Sequence, residues 1–145
     1  MSVDSRADPD LGLLTWDEGL EWWEGSILLS SVAPYRLYVF ARASHTPARN
    51  ITKAARLSIL RLRGLESACR RYAADQLLGV HNSEWTTGAP LSTEDFARRV
   101  TPDGIEVHET GYAEVHFGDA GLFSGHGIGV RIRPDGAFQE AVVEG

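Results

Sequence analysis

The chain has 145 residues, of which 43% are hydrophobic and 23% are charged, with a formal net charge of −6 at pH 7. This composition is typical of one globular domain with a single hydrophobic core, and it excludes disordered and fibrous classes. No apolar run approaches the roughly 20 residues of a membrane span, and the aspartate-containing N-terminus lacks the apolar segment of a secretory signal. The single cysteine, Cys69, excludes an internal disulfide framework. We therefore expect a cytoplasmic protein without a membrane partner.

The N-terminal part of the chain predicts a tail followed by two strands. Residues 1–10 are polar and contain a proline, so we expect a disordered tail that precedes one domain over residues 11–145. The glycine-punctuated hydrophobic segment that follows predicts a strand, most clearly from Trp22 to Ser30. Aromatic and β-branched residues favour a second strand over Tyr35–Ala41. The short connection at Ser31–Ala33 indicates an antiparallel hairpin.

A long helix is predicted next. Apolar or small residues recur every three or four positions from residue 51 onward, which marks one helical face ending at about Leu78. Asn50, or alternatively Thr46, is suited to cap its start, and Gly79 occupies the C-cap position.

The remainder of the chain predicts one short helix and four strands. The short helix begins after the N-cap Ser92 and ends near Arg99. Alternating apolar and polar residues then predict strands at Ile105–His108, Tyr112–Phe117, 128–133 and Ala137–Val143. The order β-β-α-α-β-β-β-β segregates helices from strands. We therefore expect an α+β fold, with an antiparallel sheet of about six strands packed against one long and one short helix.

The charge is unevenly distributed along the chain. Residues 31–71 contain nine basic residues and one acidic residue, whereas both flanking segments are acidic. A basic helix can contact phosphates, or its charges can be balanced by acidic strands within the fold. Because the chain as a whole is acidic, nucleic acid is not the expected partner.

The five histidines, His45, His81, His108, His116 and His126, show no metal-ligand spacing such as His-Glu-x-x-His. His108 and His116 lie on adjacent predicted strands, and Glu114 lies between them in sequence. If the hairpin brings the histidines together on one face, these three residues form an alternative metal site. The other interpretation is a polar strand face, with no metal and no cofactor.

The glycine-rich segment Phe117–Ile128 contains the densest set of chemically active side chains. Asp119 and His126 form an acid–base pair in principle, with Ser124 as a nucleophile, which is the alternative catalytic interpretation. The segment lacks a Gly-x-Ser-x-Gly elbow and a recognisable oxyanion hole. The structural interpretation is that Asp119 closes a turn onto backbone amides while neighbouring apolar side chains plug the sheet.

Tryptophans provide the candidate binding residues. Trp22 and Trp23 are adjacent in a predicted strand and must point to opposite faces, so one belongs to the core and the other can anchor an interface. Trp85, after the long helix, is expected to fill its end as a core aromatic, with a binding role as the alternative. Trp22, Trp85, Asp119 and His126 are the candidate binding residues.

Five short segments, in this order along the chain, carry a resemblance to a known family. They are Trp23-Glu24-Gly25, Asn82-Ser83-Glu84-Trp85, Leu91-Ser92-x-x-Asp95-Phe96, Asp119-Ala120-Gly121-Leu122-Phe123-Ser124-Gly125-His126-Gly127-Ile128 and Ala141-Val142-Val143-Glu144-Gly145. In this series the chain resembles the uncharacterised bacterial "domain of unknown function" family 2262 over about residues 13–145. Members of that family often carry Trp at the position of Ser124 and Ser at the position of Gly127. The resemblance implies no established enzymatic activity. Small domains of this type are similar to immunity proteins that neutralise bacterial toxins.

These observations predict a non-catalytic module that binds a protein partner, in its most specific form an immunity protein against a basic toxin. The acidic surface and the absence of a reaction motif support this prediction. The alternative is a small metal-dependent or acid–base hydrolase that uses Asp119 and His126, with Glu114 and His116 nearby. Association as a homodimer stays open, because a sheet of this kind has free edges.

Overall fold

The computed structural model describes residues 4–29, 33–42, 49–86 and 88–144. Eight strands in these ranges form one sheet, in which each strand pairs with its neighbours in the chain. The strands are β1 Ser5–Asp8, β2 Gly12–Asp17, β3 Trp22–Ile27, β4 Tyr35–Phe40, β5 Thr101–Val107, β6 Ala113–Gly118, β7 Gly127–Ile132 and β8 Phe138–Glu144. Their neighbouring pairs are antiparallel, except that β4 and β5 are parallel.

The N-terminal part of the sheet has four strands where the sequence predicts two. Residues Ser5–Asp8, expected in a disordered tail, form edge strand β1 and pair with β2. The hydrophobic segment before residue 31 is divided into β2 and β3 by a turn in which the Asp17 carboxylate accepts a hydrogen bond from the Leu20 amide. The prediction of about six strands was therefore too low by two, because β1 was expected in a tail and the polar turn was read as part of one hydrophobic segment.

The predicted hairpin of β3 and β4 is confirmed. Trp22 lies opposite Phe40, and Ile27 lies opposite Tyr35. Residues 30–32 of its connection lie outside the described residues, as do His45 and the candidate helix cap Thr46.

The long helix, α1, spans Lys53–Val80. Its N-cap is Thr52, whose hydroxyl accepts a backbone hydrogen bond in the first turn, and not the predicted Asn50. Gly79 does not adopt the left-handed conformation of a C-cap, and α1 continues past it into a π-helical turn over His81–Trp85. The predicted end of the helix at Gly79 was therefore wrong.

The short helix, α2 (Thr93–Arg99), begins at the predicted N-cap Ser92. Together α1 and α2 carry the chain from β4 to β5, and a crossover of this length allows two strands to run parallel. The fold is therefore α+β as predicted, but its sheet is mostly and not wholly antiparallel.

The core lies between α1 and one face of the sheet, where alternate strand residues such as Trp23 are fully buried. The helix contacts both edges of the sheet. Arg56 pairs with Asp8 of β1, and Tyr72 stacks on Phe138 of β8 with ring centroids 4.9 Å apart. The helix therefore runs diagonally from one sheet edge to the other. Both described helices leave the opposite face of the sheet uncovered.

Candidate functional site

The sheet face opposite α1, called the open face below, carries polar and aromatic side chains. Their strands are in register, because Glu106 lies opposite both Tyr38 and Glu114, and Glu114 lies opposite Arg131. The polar and aromatic side chains of the open face include those of Trp22, Glu24, Arg36, Tyr38, Phe40, Glu106, His108, Tyr112, Glu114, His116, Arg131, Glu140 and Glu144. All of these residues are half-buried or exposed, so each has some surface in contact with solvent.

An aromatic row crosses the open face. Trp22 contacts Tyr38 and Phe40, with ring centroids 4.7 and 5.0 Å apart. Phe40 stacks on His108 at 4.6 Å, and His108 contacts Tyr112 at 5.3 Å. A cavity of about 390 Å³ opens beside Phe40, His108 and Tyr112. These five rings, named the aromatic row, form a continuous surface that offers both ring faces and ring edges.

A second group on the open face, named the His–Glu cluster, consists of His116, Glu106, Glu114 and Glu144. Nδ1 of His116 lies 2.6 Å from a carboxylate oxygen of Glu144. Nε2 of the same ring lies 3.4 Å from Glu114 Oε2 and 4.0 Å from Glu106 Oε1. Nε2 is buried and has no hydrogen-bond partner among the described residues. One imidazole is therefore surrounded by three carboxylates.

Glycines on both neighbouring strands make room for this convergence. Gly104 on β5 and Gly129 on β7 lie directly opposite His116 in the register. A Cβ atom at Gly129 would lie 2.8 Å from the Glu144 carboxylate, so only glycine lets that carboxylate cross β7 to reach the imidazole. A cavity of about 270 Å³ lined in part by Gly104, Glu106 and His116 connects the cluster with the surface.

Of the three residues of the alternative metal site, the structure brings two together. Glu114 and His116 come together as predicted, but His108 does not join them, because its ring belongs to the aromatic row. Glu106 and Glu144 take part and were missed. The pairing of Glu106 with Glu114 follows from strand alternation in the predicted hairpin, so that signal was available. Nothing in the local sequence indicates that Glu144 approaches His116.

Asp119 holds the glycine-rich segment in place. Its carboxylate accepts hydrogen bonds from the backbone amides of Gly121, Phe123 and Gly125, at 3.2, 2.8 and 2.9 Å. Burial acts to raise the pKa of Asp119, but these amides outweigh it, and the pKa is lowered. Asp119 therefore closes a turn onto backbone amides, as the structural interpretation of this segment expects. The described residues show no hydrogen bond between Asp119 and His126, so their pairing as acid and base has no geometric support.

Trp85 and His126 form a separate surface patch. Trp85 is 39% exposed, which contradicts its prediction as a core aromatic. Its ring packs edge-on against buried Phe123 at 5.5 Å and against exposed His126 at 5.8 Å. The patch is placed by Asn82 of the π-helical turn, whose side-chain amide both donates to and accepts from the backbone of Leu91.

The adjacent tryptophans of β3 point to opposite faces, as predicted. Trp23 is fully buried in the core, and its indole N–H donates to the carbonyl of Arg49. Trp22 lies in the aromatic row, and its indole N–H donates to the Glu24 carboxylate. Of the four candidate binding residues, Trp22 is therefore on the open face and Trp85 and His126 form the other patch. Asp119 binds the backbone of the loop that precedes His126.

The basic helix is balanced within the fold, in agreement with one of the two interpretations of its charge. Arg56 pairs with Asp8 and Asp10 near the first hairpin, Arg70 pairs with Glu66 on the same helix, and Arg71 pairs with Glu94 of α2. Arg49, which precedes the helix, pairs with Asp4 and Glu18. These pairs leave less cationic surface for phosphates than the sequence alone indicates.

The comparisons with known proteins identify a family. The family described as "Uncharacterized protein conserved in bacteria (DUF2262)" matches residues 8–143. This confirms the resemblance stated from the sequence. No curated protein and no solved structure matches the chain significantly. Within the described residues, no helix combines the length and the apolar character needed to cross a membrane.

Proposed function

Since the chain belongs to the bacterial family DUF2262, whose description assigns no activity, we propose from its geometry that it is a non-catalytic cytoplasmic domain that binds a basic protein partner. The partner docks on the open face. The observation that carries this proposal is the interleaving of glutamates with the aromatic row on a sheet face that the described helices leave uncovered.

The charge of the open face favours a cationic partner. Five glutamates lie on it, at positions 24, 106, 114, 140 and 144, against the two arginines Arg36 and Arg131. Arg131 is itself engaged by Glu114 and Glu140. A lysine- or arginine-rich surface is complementary to this face, and the attraction accelerates the encounter of the two proteins.

The aromatic row supplies rigid contact area. The indole of Trp22 is held by Glu24, and the hydroxyl of Tyr112 donates to Glu114 at 3.0 Å. Such prepositioned rings lose little conformational entropy on binding, and tryptophan and tyrosine are enriched among residues that dominate interface energies. Aromatic faces beside carboxylates also attract guanidinium groups through cation–π contacts.

The most specific form of this function is an immunity protein that neutralises a basic bacterial toxin. The net charge of −6 and the acidic open face support that form. A hydrolase built on Asp119 and His126 receives no such support, because backbone amides occupy the Asp119 carboxylate.

The proposal is tested by capturing proteins from the native bacterium with the immobilised chain at low salt. The captured basic protein is then purified and its dissociation constant is measured with each variant. We expect Trp22→Ala to weaken binding about 30-fold or more, and Glu24→Gln to weaken it less and flatten its salt dependence. Trp85→Ala is the matched control, because it removes an exposed tryptophan outside the open face.

Two results overturn the proposal. One is the absence of any basic protein among the captured material. The other is a partner whose affinity falls with Trp85→Ala and not with Trp22→Ala, which would assign docking to the patch of Trp85 and His126. Thermal unfolding of each variant shows whether a loss of binding reflects a loss of folding.

A further inference from the structure

We propose that the His–Glu cluster binds one divalent transition-metal ion through His116 Nε2 and the carboxylates of Glu114 and Glu106. This inference goes beyond partner binding, because it depends on a different group of atoms on the open face. Zn²⁺ is the representative ion, since one imidazole nitrogen among carboxylate oxygens suits first-row transition metals better than Mg²⁺ or Ca²⁺.

The spacing of the donor atoms fits a single ion. One donor atom from each of Glu106, Glu114 and His116 lies within 4.8 Å of the others. Two ligands at about 2.1 Å from a tetrahedral ion lie about 3.4 Å apart, which is the distance from His116 Nε2 to Glu114 Oε2. Glu106 is slightly farther, at 4.0 Å, and a small side-chain rotation brings its oxygen into range.

Glu144 orients the imidazole for this role. Its carboxylate lies 2.6 Å from Nδ1 of His116 and accepts a hydrogen bond from the Nδ1–H group, which leaves the lone pair of Nε2 directed at Glu106 and Glu114. A carboxylate on the nitrogen remote from the ion is the usual arrangement for metal-binding histidines, where it fixes the tautomer and the ring orientation. Glu144 is therefore a positioning residue.

The buried Nε2 atom requires a positive partner. It has no hydrogen-bond partner among the described residues, and a buried polar atom without one destabilises the fold. Facing two carboxylates, an unprotonated Nε2 would add lone-pair repulsion to the repulsion between the carboxylates themselves. A divalent cation would offset both the lone-pair repulsion and the repulsion between the carboxylates, whereas a proton on Nε2 supplies half as much positive charge.

The carboxylate of Glu114 is also held in one orientation by its neighbours. Its Oε1 atom accepts from the Tyr112 hydroxyl at 3.0 Å and lies 3.5 Å from Nε of Arg131. The other oxygen, Oε2, is thereby turned toward His116. The cavity of about 270 Å³ beside the cluster leaves space for water or an exogenous ligand to complete the coordination sphere.

The test begins with the full chain after treatment with a chelator. Zn²⁺ is titrated by calorimetry, and the imidazole nitrogens are followed by long-range ¹H–¹⁵N NMR. We expect one ion per chain, a shift of the His116 Nε2 resonance on binding, and a higher midpoint of thermal unfolding. Mg²⁺ is expected to bind at least about 100-fold more weakly.

Variants separate this site from nonspecific binding to other histidines. We expect His116→Gln and Glu114→Gln each to lower Zn²⁺ affinity at least tenfold, and Glu144→Gln, which retains an oxygen acceptor for Nδ1–H, to lower it less. His126→Gln is the control, because it removes an exposed imidazole outside the cluster, and its affinity should equal that of the wild type.

Three results overturn the inference. The first is no Zn²⁺ binding to the folded wild-type chain, and the second is equal binding by wild type and His116→Gln. The third is an Nε2 atom of His116 that carries a proton and whose resonance does not shift when Zn²⁺ is added. The last would show a proton in place of the ion. Partner binding measured on the chelator-treated chain tests the proposed function separately, so the two proposals can fail independently.

Discussion

Arg56 on α1 and Asp8 at the end of β1 form a two-pronged ion pair, with Nη1 2.8 Å from Oδ1 and Nη2 2.6 Å from Oδ2. The side chain of Asp8 is only 6% exposed. The same carboxylate accepts hydrogen bonds from the amides of Asp10 and Leu11, which close the turn to β2. One carboxylate thus fastens the edge strand both to the helix and to its own hairpin.

This pair predicts a loss of stability in acid. The hydrogen bond from Arg56 is the main reason why the pKa of Asp8 is lowered from 3.8 to about 2; burial opposes it, and the Asp10 and Leu11 amides assist. A lowered pKa in the folded state means that the stabilisation is fully present above pH 4 and is lost as the pH falls through about 2. The contribution is on the order of 1–2 kcal/mol after allowing for solvent at the partly exposed arginine.

The measurement is urea unfolding of wild type and Asp8→Asn between pH 2 and pH 7. The difference in unfolding free energy should be largest at neutral pH and should shrink toward pH 2. Asp75→Asn is the control, because it removes an exposed aspartate of α1 that forms no ion pair with the described residues. A difference between wild type and Asp8→Asn that does not change with pH would contradict the assignment.

A second prediction concerns the buried polar link between the sheet and α1. The Tyr35 hydroxyl donates to Glu66 at 2.6 Å, and Arg70 holds the same carboxylate oxygen at 2.9 Å. Tyr35→Phe removes one donor from a nearly buried carboxylate, so we expect a loss of about 1–3 kcal/mol in the free energy of unfolding. Tyr38→Phe on the open face is the control and should change it by less than about 0.5 kcal/mol. Equal effects in the two variants would show that the link contributes nothing.

Local sequence signals predicted the parts of the fold that local physics determines. Alternation placed Trp22 and Trp23 on opposite faces, and the cap at Ser92 fixed the start of α2. The run Ser5–Asp8 is polar and has no hydrophobic alternation, so its pairing as β1 depends on Arg56, which is distant in the sequence.

The candidate site was less predictable, for a related reason. Glu106, Glu114 and His116 follow from hairpin register, but the approach of Glu144 depends on how β8 pairs with β7 and on the missing side chain at Gly129. Trp85 was misplaced because α1 widens into a π-helical turn that carries the ring to the surface. Neither the long-range pairing of strands nor the change from α- to π-helix produces a periodic pattern in the sequence, so local sequence does not predict them.

The turn at Asp119 predicts that one buried loop residue contributes strongly to stability. Asp119→Ala would leave the amides of Gly121, Phe123 and Gly125 without their acceptor, in a segment where Ala120 and Ser124 already adopt positive φ. We expect the free energy of unfolding to fall by about 3 kcal/mol at pH 7. Asp119→Asn keeps one oxygen acceptor and should lose about half as much, as measured by urea unfolding.

The pH dependence of Asp119 provides the check. Because its pKa is lowered in the folded state, the stabilisation is present above about pH 4 and declines in more acidic solution. The difference in the free energy of unfolding between wild type and Asp119→Ala should therefore become smaller as the pH is lowered. A catalytic role would instead leave stability unchanged on substitution, and that result would restore the alternative interpretation.

Cys69 is predicted to be chemically inert in the folded protein. Burial, reinforced by the charge of nearby Glu66, raises the pKa of its thiol to about 12, although Arg70 acts in the opposite direction. Only a thiolate reacts rapidly with disulfide reagents, so labelling at pH 8 should be negligible in native buffer and complete in denaturing urea. Stoichiometric labelling of the native chain would contradict the buried position on α1.

Two glycines with opposite surroundings give the last prediction. At Gly64, in the exposed middle of α1, an added Cβ meets no atom within 4 Å, so Gly64→Ala should raise the free energy of unfolding by about 0.5–1 kcal/mol through helix propensity alone.

At Gly129 the added Cβ would lie 2.8 Å from the Glu144 carboxylate. That carboxylate ends a flexible side chain and can swing away, so Gly129→Ala should cost little stability but should break its contact with His116. We expect the Nδ1 proton of His116 to be visible by NMR in the wild type and in Gly64→Ala, and to exchange rapidly with solvent and disappear in Gly129→Ala. Persistence of that signal in Gly129→Ala would show that Glu144 reaches the imidazole without the space that the glycine provides.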